Sequence, residues 1–271
     1  MRTATDLAAD LHALGLGGGD TVMAHAGMRS VGPLINGPDT LIEAIRLVIG
    51  TAGTLVAATD WEAPYLQHLI GEDGRVPDEW REHIPPYDPA RSRAMRDNGV
   101  FAEFVRTTPG ARRSANPNCS VAAIGARADW LTEGRALDYG YGEESPLAKL
   151  IEARGKVLLV GAPAHSMTLL HHAEHLAAIP GKRVLRQEIP FRRADGGTEW
   201  RWCEEYESTE AIVPGFDDEY FDEIAADYRA AGGGVRGPVG AAPAELFDAA
   251  DITRFAILWL ERAVTAQSSA G

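Results

Sequence analysis

The chain has 271 residues, a formal net charge of −13 at pH 7 and two cysteines. The length fits one large hydrophobic core or two small ones, the acidic balance argues against nucleic acid as the ligand and favours a cationic one, and two cysteines make no disulfide framework. No apolar run approaches the roughly 20 residues of a membrane span and the N-terminus lacks a signal peptide's apolar core, so a cytoplasmic location is expected.

Residues 6–14 read as an amphipathic helix closed by glycines at 15 and 17–19, and 21–25 as a buried strand. Pro38 opens the next helix, in which Leu41, Ile45 and Val48 share a face, and 54–59 is a second strand. A strand, helix, strand unit of this kind predicts a parallel pair in an α/β sheet. Residues 60–97 carry no sustained periodicity and read as a long excursion with one short helix. Further strands are expected at 121–125 and 156–161. Residues 184–189 and 198–206 flank Asp195-Gly196-Gly197 as an antiparallel hairpin. Helices are expected at 217–231, ending in Gly232-Gly233-Gly234, and at 251–266. The glycine-rich stretch to Gly240 reads as a helix cap rather than a nucleotide fingerprint, since no strand precedes it and no lysine follows.

Four of the eight histidines and one glutamate fall within 165–175, directly after the strand at 156–161. On a helix, residues three and four apart are neighbours, so His171 has Glu174 and His175 beside it while His172 points away. The segment admits three readings. His171 is a hydrogen-bonded core residue with His172 and His175 on the solvent side or capping; or His171, Glu174 and His175 form the H-x-x-E-H pattern of a zinc hydrolase; or His171 is a general base oriented by Glu174. Either chemistry would sit at the carboxyl end of a strand, where α/β sheets bind ligands. The helix N-terminus at Pro38 offers unpaired amides to an anion, and Arg29 adds a charge nearby. Carboxylates at Asp60, Glu62, Glu204, Glu205, Glu207, Asp217, Asp218 and Glu219, interleaved with Trp61, Tyr65, Tyr206 and Tyr220, make a plausible wall for a polycation.

Several blocks, in order, resemble the aminoglycoside 3-N-acetyltransferases, or antibiotic N-acetyltransferases. They are His25-Ala26-Gly27-Met28-Arg29-Ser30-Val31-Gly32 followed by Gly37-Pro38; Arg113-Ser114-Ala115-Asn116-Pro117; Asp138-Tyr139-Gly140-Tyr141-Gly142 through Ser145–Leu150; Leu159–Pro163 running into Thr168–Glu174; and Arg236–Gly240. The resemblance implies one three-layer α/β/α domain over 1–271, with a central, largely parallel or mixed sheet and an inserted antiparallel hairpin. It implies acetyl-CoA as donor, the 3-amino group of a 2-deoxystreptamine aminoglycoside as acceptor, and no metal. It puts the family's histidine and glutamate on His171 and Glu174, and cofactor contacts on Met28, Arg29, Ser30, Val31, Gly32, Gly37 and Ser114. The amides around Ser30 and Val31, or the hydroxyl of Thr168, are candidate oxyanion donors. Asp60, Tyr65, Glu204, Glu205 and Asp217 are the expected acceptor contacts. The chain departs from the family at Ala26-Gly27, where members often carry a serine, so a hydroxyl contact to the cofactor is expected to be missing. The expected state is a monomer or homodimer without nucleic acid or membrane; the rivals are the zinc hydrolase and a non-catalytic CoA- or aminoglycoside-binding protein.

Overall fold

Thr3 starts the first helix, α1 (Ala4–Leu14): its hydroxyl accepts the Asp6 N–H while the Asp6 carboxylate accepts the Thr3 N–H, so two orphan donors are satisfied at once. There follow β1 (Thr21–Ala26), α2 (Met28–Val31), α3 (Pro38–Ile49), β2 (Thr54–Ala58), α4 (Tyr65–His68), α5 (Asp78–Arg81), α6 (Gly99–Thr107), β3 (Arg112–Arg113), β4 (Val121–Gly125), α7 (Ala128–Thr132), α8 (Pro146–Glu152) and β5 (Lys156–Val160). The chain continues through α9 (Leu169–Leu176), β6 (Val184–Arg192), β7 (Thr198–Tyr206), α10 (Tyr220–Ala230), β8 (Val235–Val239), β9 (Ala242–Asp248) and α11 (Ala249–Ala270). This computed structural model describes residues 1–134, 137–207, 211, 212, 216 and 219–270, the side chains of 267–270 excepted.

The main sheet has the order β3-β4-β2-β1-β5-β9-β8 and is mixed: β1 is parallel to β2 and to β5, and the other pairings are antiparallel. Side chains alternate across it, as strand geometry requires. Met23, Val56, Val157 and Leu159 face the layer of α7 to α11, whereas Val22, Leu55, Leu158 and Val160 face α1, α3 and α6. Helices thus cover both faces of the central strands, which explains their unbroken apolar runs. The hairpin β6–β7 forms a separate two-stranded sheet, as expected from its turn.

The glycine-rich tract after α10 corrects the sequence reading. Residues 235–239 form strand β8, paired with β9, which in turn lies against β5. Pro238 is tolerated because β8 is the edge strand.

The excursion at 60–97 packs on the hairpin around Trp61, Tyr65, Val76, Ile84, Tyr87, Ile189 and Cys203. Gly74 makes the junction: its carbonyl accepts the Glu188 N–H, its φ is +74°, and a Cβ there would collide with the Arg186 carbonyl oxygen. Gly74→Ala should therefore cost about 2 kcal/mol or more of stability and loosen the excursion from the hairpin. A thermal melt of the purified variant checks this, and an unshifted Tm would show that the junction relaxes freely.

Candidate active site

Because β1, β2 and β5 are parallel, they end at one edge of the sheet. The chain leaves β1 for α3 on one face and leaves β5 for α9 on the other, the arrangement that opens a ligand crevice between neighbouring strands. Backbone from the two loops meets at this point. The Gly27 N–H donates to the Val160 carbonyl at 2.9 Å, and a Cβ on Gly27 would overlap the Gly161 carbonyl oxygen. Gly161 has φ +60°, and a side chain there would meet Ser30. A side chain at 27 would therefore push these two backbones apart in this chain.

Helix α9 buries Leu169, Leu170 and Ala173 and sets His171 and Glu174 on its flank. The Glu174 carboxylate is buried and divided: Oε2 lies 2.6 Å from His171 Nδ1, and Oε1 accepts the Tyr220 hydroxyl. With Nδ1 donating to the carboxylate, Nε2 of His171 carries the lone pair. The imidazole is stacked on Tyr141 at 5.0 Å and 26° and meets the edge of Phe221 at 5.0 Å. Tyr141 is held in turn, because its carbonyl lies 2.5 Å from His172 Nδ1.

Tyr141 also lines a cavity of about 330 Å³, together with Asp60, Trp61, Asn118, Cys119 and Glu205. Asp60 continues β2 into this cavity. Its Oδ2 accepts from Asn98 Nδ2 at 3.1 Å, while its Oδ1 is buried with no hydrogen-bond partner. Burial pushes its carboxyl up to about 6, against the smaller opposing effects of the Asn98 bond and of His171 and Arg113. Glu205 is also raised by burial, although the N–H groups of Gly140 and Tyr206 and the Cys119 thiol all donate to its carboxylate. Burial holds the Cys119 thiol well above its ordinary value and pushes Cys203 up to about 12, so both are poor nucleophiles.

Several expected contacts lie elsewhere. Glu204 and Glu205 are neighbours on β7, and only Glu205 faces the cavity; Glu204 accepts from Tyr139 at 3.1 Å and pairs with Arg186 at 3.5 Å. Tyr65 is buried among Trp61 and Trp200, and its neighbours Leu66 and Gln67 line the cavity instead. Asp217 lies outside the described residues. Around the first loop, Arg29 and Ser30 are exposed, Met28 is half-buried, and Val31 is buried with its carbonyl accepting from Ala241. Gly32 and Gly37 have φ of +87° and +56°. The Ser30 N–H already donates to Gly27, which removes it as an oxyanion donor. Ser114 is buried, with its hydroxyl accepting the Val121 N–H, so that hydroxyl serves the β4 junction. Thr168 stands at the N-terminus of α9 without a capping bond.

His172, expected on the solvent side or at a cap, is buried beneath Tyr141. His175 lies between Tyr139 and Tyr206, at 6.0 and 4.9 Å. Among the described residues, the one group of three with ligand atoms within 4.8 Å is His165, Glu219 and Asp222, so the zinc pattern on α9 does not assemble as a donor set. Sequence reading put Tyr220 in the carboxylate-rich wall rather than beside Glu174, and missed Asn98 and Cys119 as partners. It also assigned no role to His25, next to last in β1, which has a buried, unpartnered Nε2 and is lowered by burial to about 4.

A carboxylate-backed imidazole thus lies at the edge of a mixed α/β sheet, beside an acidic cavity. The model of the aminoglycoside 3-N-acetyltransferases matches residues 23–261. An aminoglycoside N(3)-acetyltransferase III of Pseudomonas aeruginosa is 45% identical over 92% of this chain and 90% of its own length. Among solved structures, AAC-IIIb in binary complex with CoASH superposes with a TM-score of 0.94 at 56% identity, covering 96% of this chain and 97% of that one. AAC-VIa bound to sisomicin gives 0.89 at 38% identity, covering 96% and 98%. The chain belongs to the aminoglycoside 3-N-acetyltransferase family and is an enzyme of that activity. No helix among the described residues is long and apolar enough to cross a membrane.

Proposed function

We propose that residues 1–271 act as one catalytic domain that passes the acetyl group of acetyl-CoA directly to the 3-amino group of a 2-deoxystreptamine aminoglycoside. The observation that carries this reading is the His171–Glu174 pair, stacked on a tyrosine that lines an acidic cavity. The acceptor amine arrives as an ammonium and attacks only after losing its first proton to solvent. As its nitrogen bonds to the thioester carbonyl carbon, His171 Nε2 takes the second proton and Glu174 stabilises the imidazolium. When the C–S bond breaks, that proton passes to the CoA sulfur. The hydroxyl of Thr168, at the N-terminal end of α9, is the remaining side-chain candidate for the oxyanion.

The donor set for CoA fits what the crevice presents. Arg29 is exposed and has no ion pair among the described residues, and the N-terminus of α3 follows Gly37 at the same edge of the sheet. The close contact of Gly27 and Gly161 keeps side chains out of the crevice beside Ser30. On the acceptor side, Asp60 and Glu205 supply negative charge to a multiply cationic sugar. Their burial makes each charge count for more than it would in water.

The test is release of free CoA thiol from acetyl-CoA across 4,6-disubstituted, 4,5-disubstituted and atypical aminoglycosides, each with and without EDTA. Release with some acceptors, indifferent to chelator, is expected. Loss of activity on chelation would favour the hydrolase, and CoA binding without any thiol release would favour the non-catalytic protein.

A further inference from the structure

Glu174 is a buried carboxylate whose last torsion is intrinsically soft: the terminal χ3 of glutamate has a broad, roughly two-fold profile rather than staggered wells. A single bond from Oε2 to His171 leaves the group free to rotate. The second oxygen is held from α10, where the Tyr220 hydroxyl donates to Oε1. Tyr220 is itself fixed. It is buried, stacks on Trp259 at 12° and 6.4 Å, and packs against Phe216 and Phe221 at 5.7 and 4.9 Å. The next residue on α10, Phe221, presents its ring to the His171 imidazole, opposite in role to the Tyr141 stack. One turn of α10 therefore touches both members of the pair. Asp222 extends the contact, accepting from the His165 N–H at 3.0 Å just before α9 begins.

We propose that Tyr220 is a positioning residue for acetyl transfer, one that locks the Glu174 carboxylate so that the imidazole is presented in one tautomer and one orientation. The inference rests on the reading of His171 as general base. It assigns Tyr220 no contact with either substrate. Two fixed donors also stabilise a carboxylate that is otherwise costly to bury. Leaving Oε1 unbonded would let the group seek another partner and carry the His171 ring with it.

The experiment compares Tyr220→Phe, Glu174→Gln and the double variant in steady-state thiol-release assays, run below the melting transition of each. The Phe ring keeps the contacts with Trp259 and Phe221, so the melt should move little. Tyr220→Phe is expected to lower kcat about 10-fold, with both KM values within about 2-fold of the parent. In the Glu174→Gln background it should cost nothing further. An unchanged kcat in Tyr220→Phe beside an impaired Glu174→Gln overturns the proposal but leaves the general-base reading intact. Losses that multiply in the double variant assign Tyr220 to packing alone and overturn it as well. An unimpaired Glu174→Gln removes the underlying reading itself.

Discussion

His171→Ala should lower kcat by about 10²-fold or more while leaving the KM for acetyl-CoA nearly unchanged. The size follows from the chemistry: without a base, the second proton of the attacking amine must leave to water, and no side chain returns it to the departing sulfur. The specificity follows from the geometry. Nδ1 is committed to Glu174, and the ring lies between Tyr141 and Phe221. Its side chain is about a quarter exposed, so truncation opens a space that water can fill and spares the apolar core beneath. The Arg29 and α3 region assigned to the cofactor is untouched. The assay is steady-state thiol release with acetyl-CoA varied at saturating acceptor, alongside a thermal melt to show that the fold survives. Turnover near the parent rate would remove His171 as the base, and a large rise in the acetyl-CoA KM would move it into cofactor binding.

The pair itself was legible because it is local. Three residues on one helix fix the distance between His171 and Glu174 whatever else the chain does. The partners of the pair were not, because Tyr220 lies 46 residues further on and reaches Oε1 only through the packing of α10 against α9. The sheet divides the same way. Strands with apolar runs and glycine endings were readable, whereas β8 hides behind a Gly-Pro composition that suits an edge strand as well as a loop. Nominating both Glu204 and Glu205 for one wall overlooked a constraint already present in the sequence. Adjacent strand residues point to opposite faces, and the cavity takes Leu185, Gln187, Cys203 and Glu205 from one face of the hairpin, with Tyr206 at the strand's end. Tyr65 failed for a different reason: the short helix α4 turns it inward and presents Leu66 and Gln67, and a four-residue helix has no periodicity from which to read its facing.

The carboxylate of Asp60 gives the second large expected effect. Asp60→Asn should raise the KM for the aminoglycoside about 10-fold or more, with little change for acetyl-CoA. Asp60 is the group in the cavity with an unbonded oxygen, since Asn98 occupies only Oδ2 and leaves Oδ1 buried without a partner. A cation there supplies what the free protein lacks. The same deficit predicts a pH dependence. Burial places the carboxyl near 6 in the folded chain, above its ordinary value of 3.8, so Asp60 binds its proton more tightly when folded. Its neutral form is the one the unliganded fold favours, and its contribution to stability is lost as pH rises from about 4 through about 6. An aminoglycoside selects the ionised form. Acceptor KM should therefore rise as pH falls below about 6, although the acceptor's amines remain charged throughout that range. Glu205 from β7, His171 from α9 and Arg113 from β3 act electrostatically in the same neighbourhood, so the asparagine variant is the control. In Asp60→Asn the acceptor KM should be high at every pH and nearly flat between about pH 5 and pH 7. A parental slope in that variant would transfer the titration to Glu205, whose carboxyl burial also raises. A parental KM at pH 7 would show that the unpartnered oxygen of Asp60 is not where the cation binds.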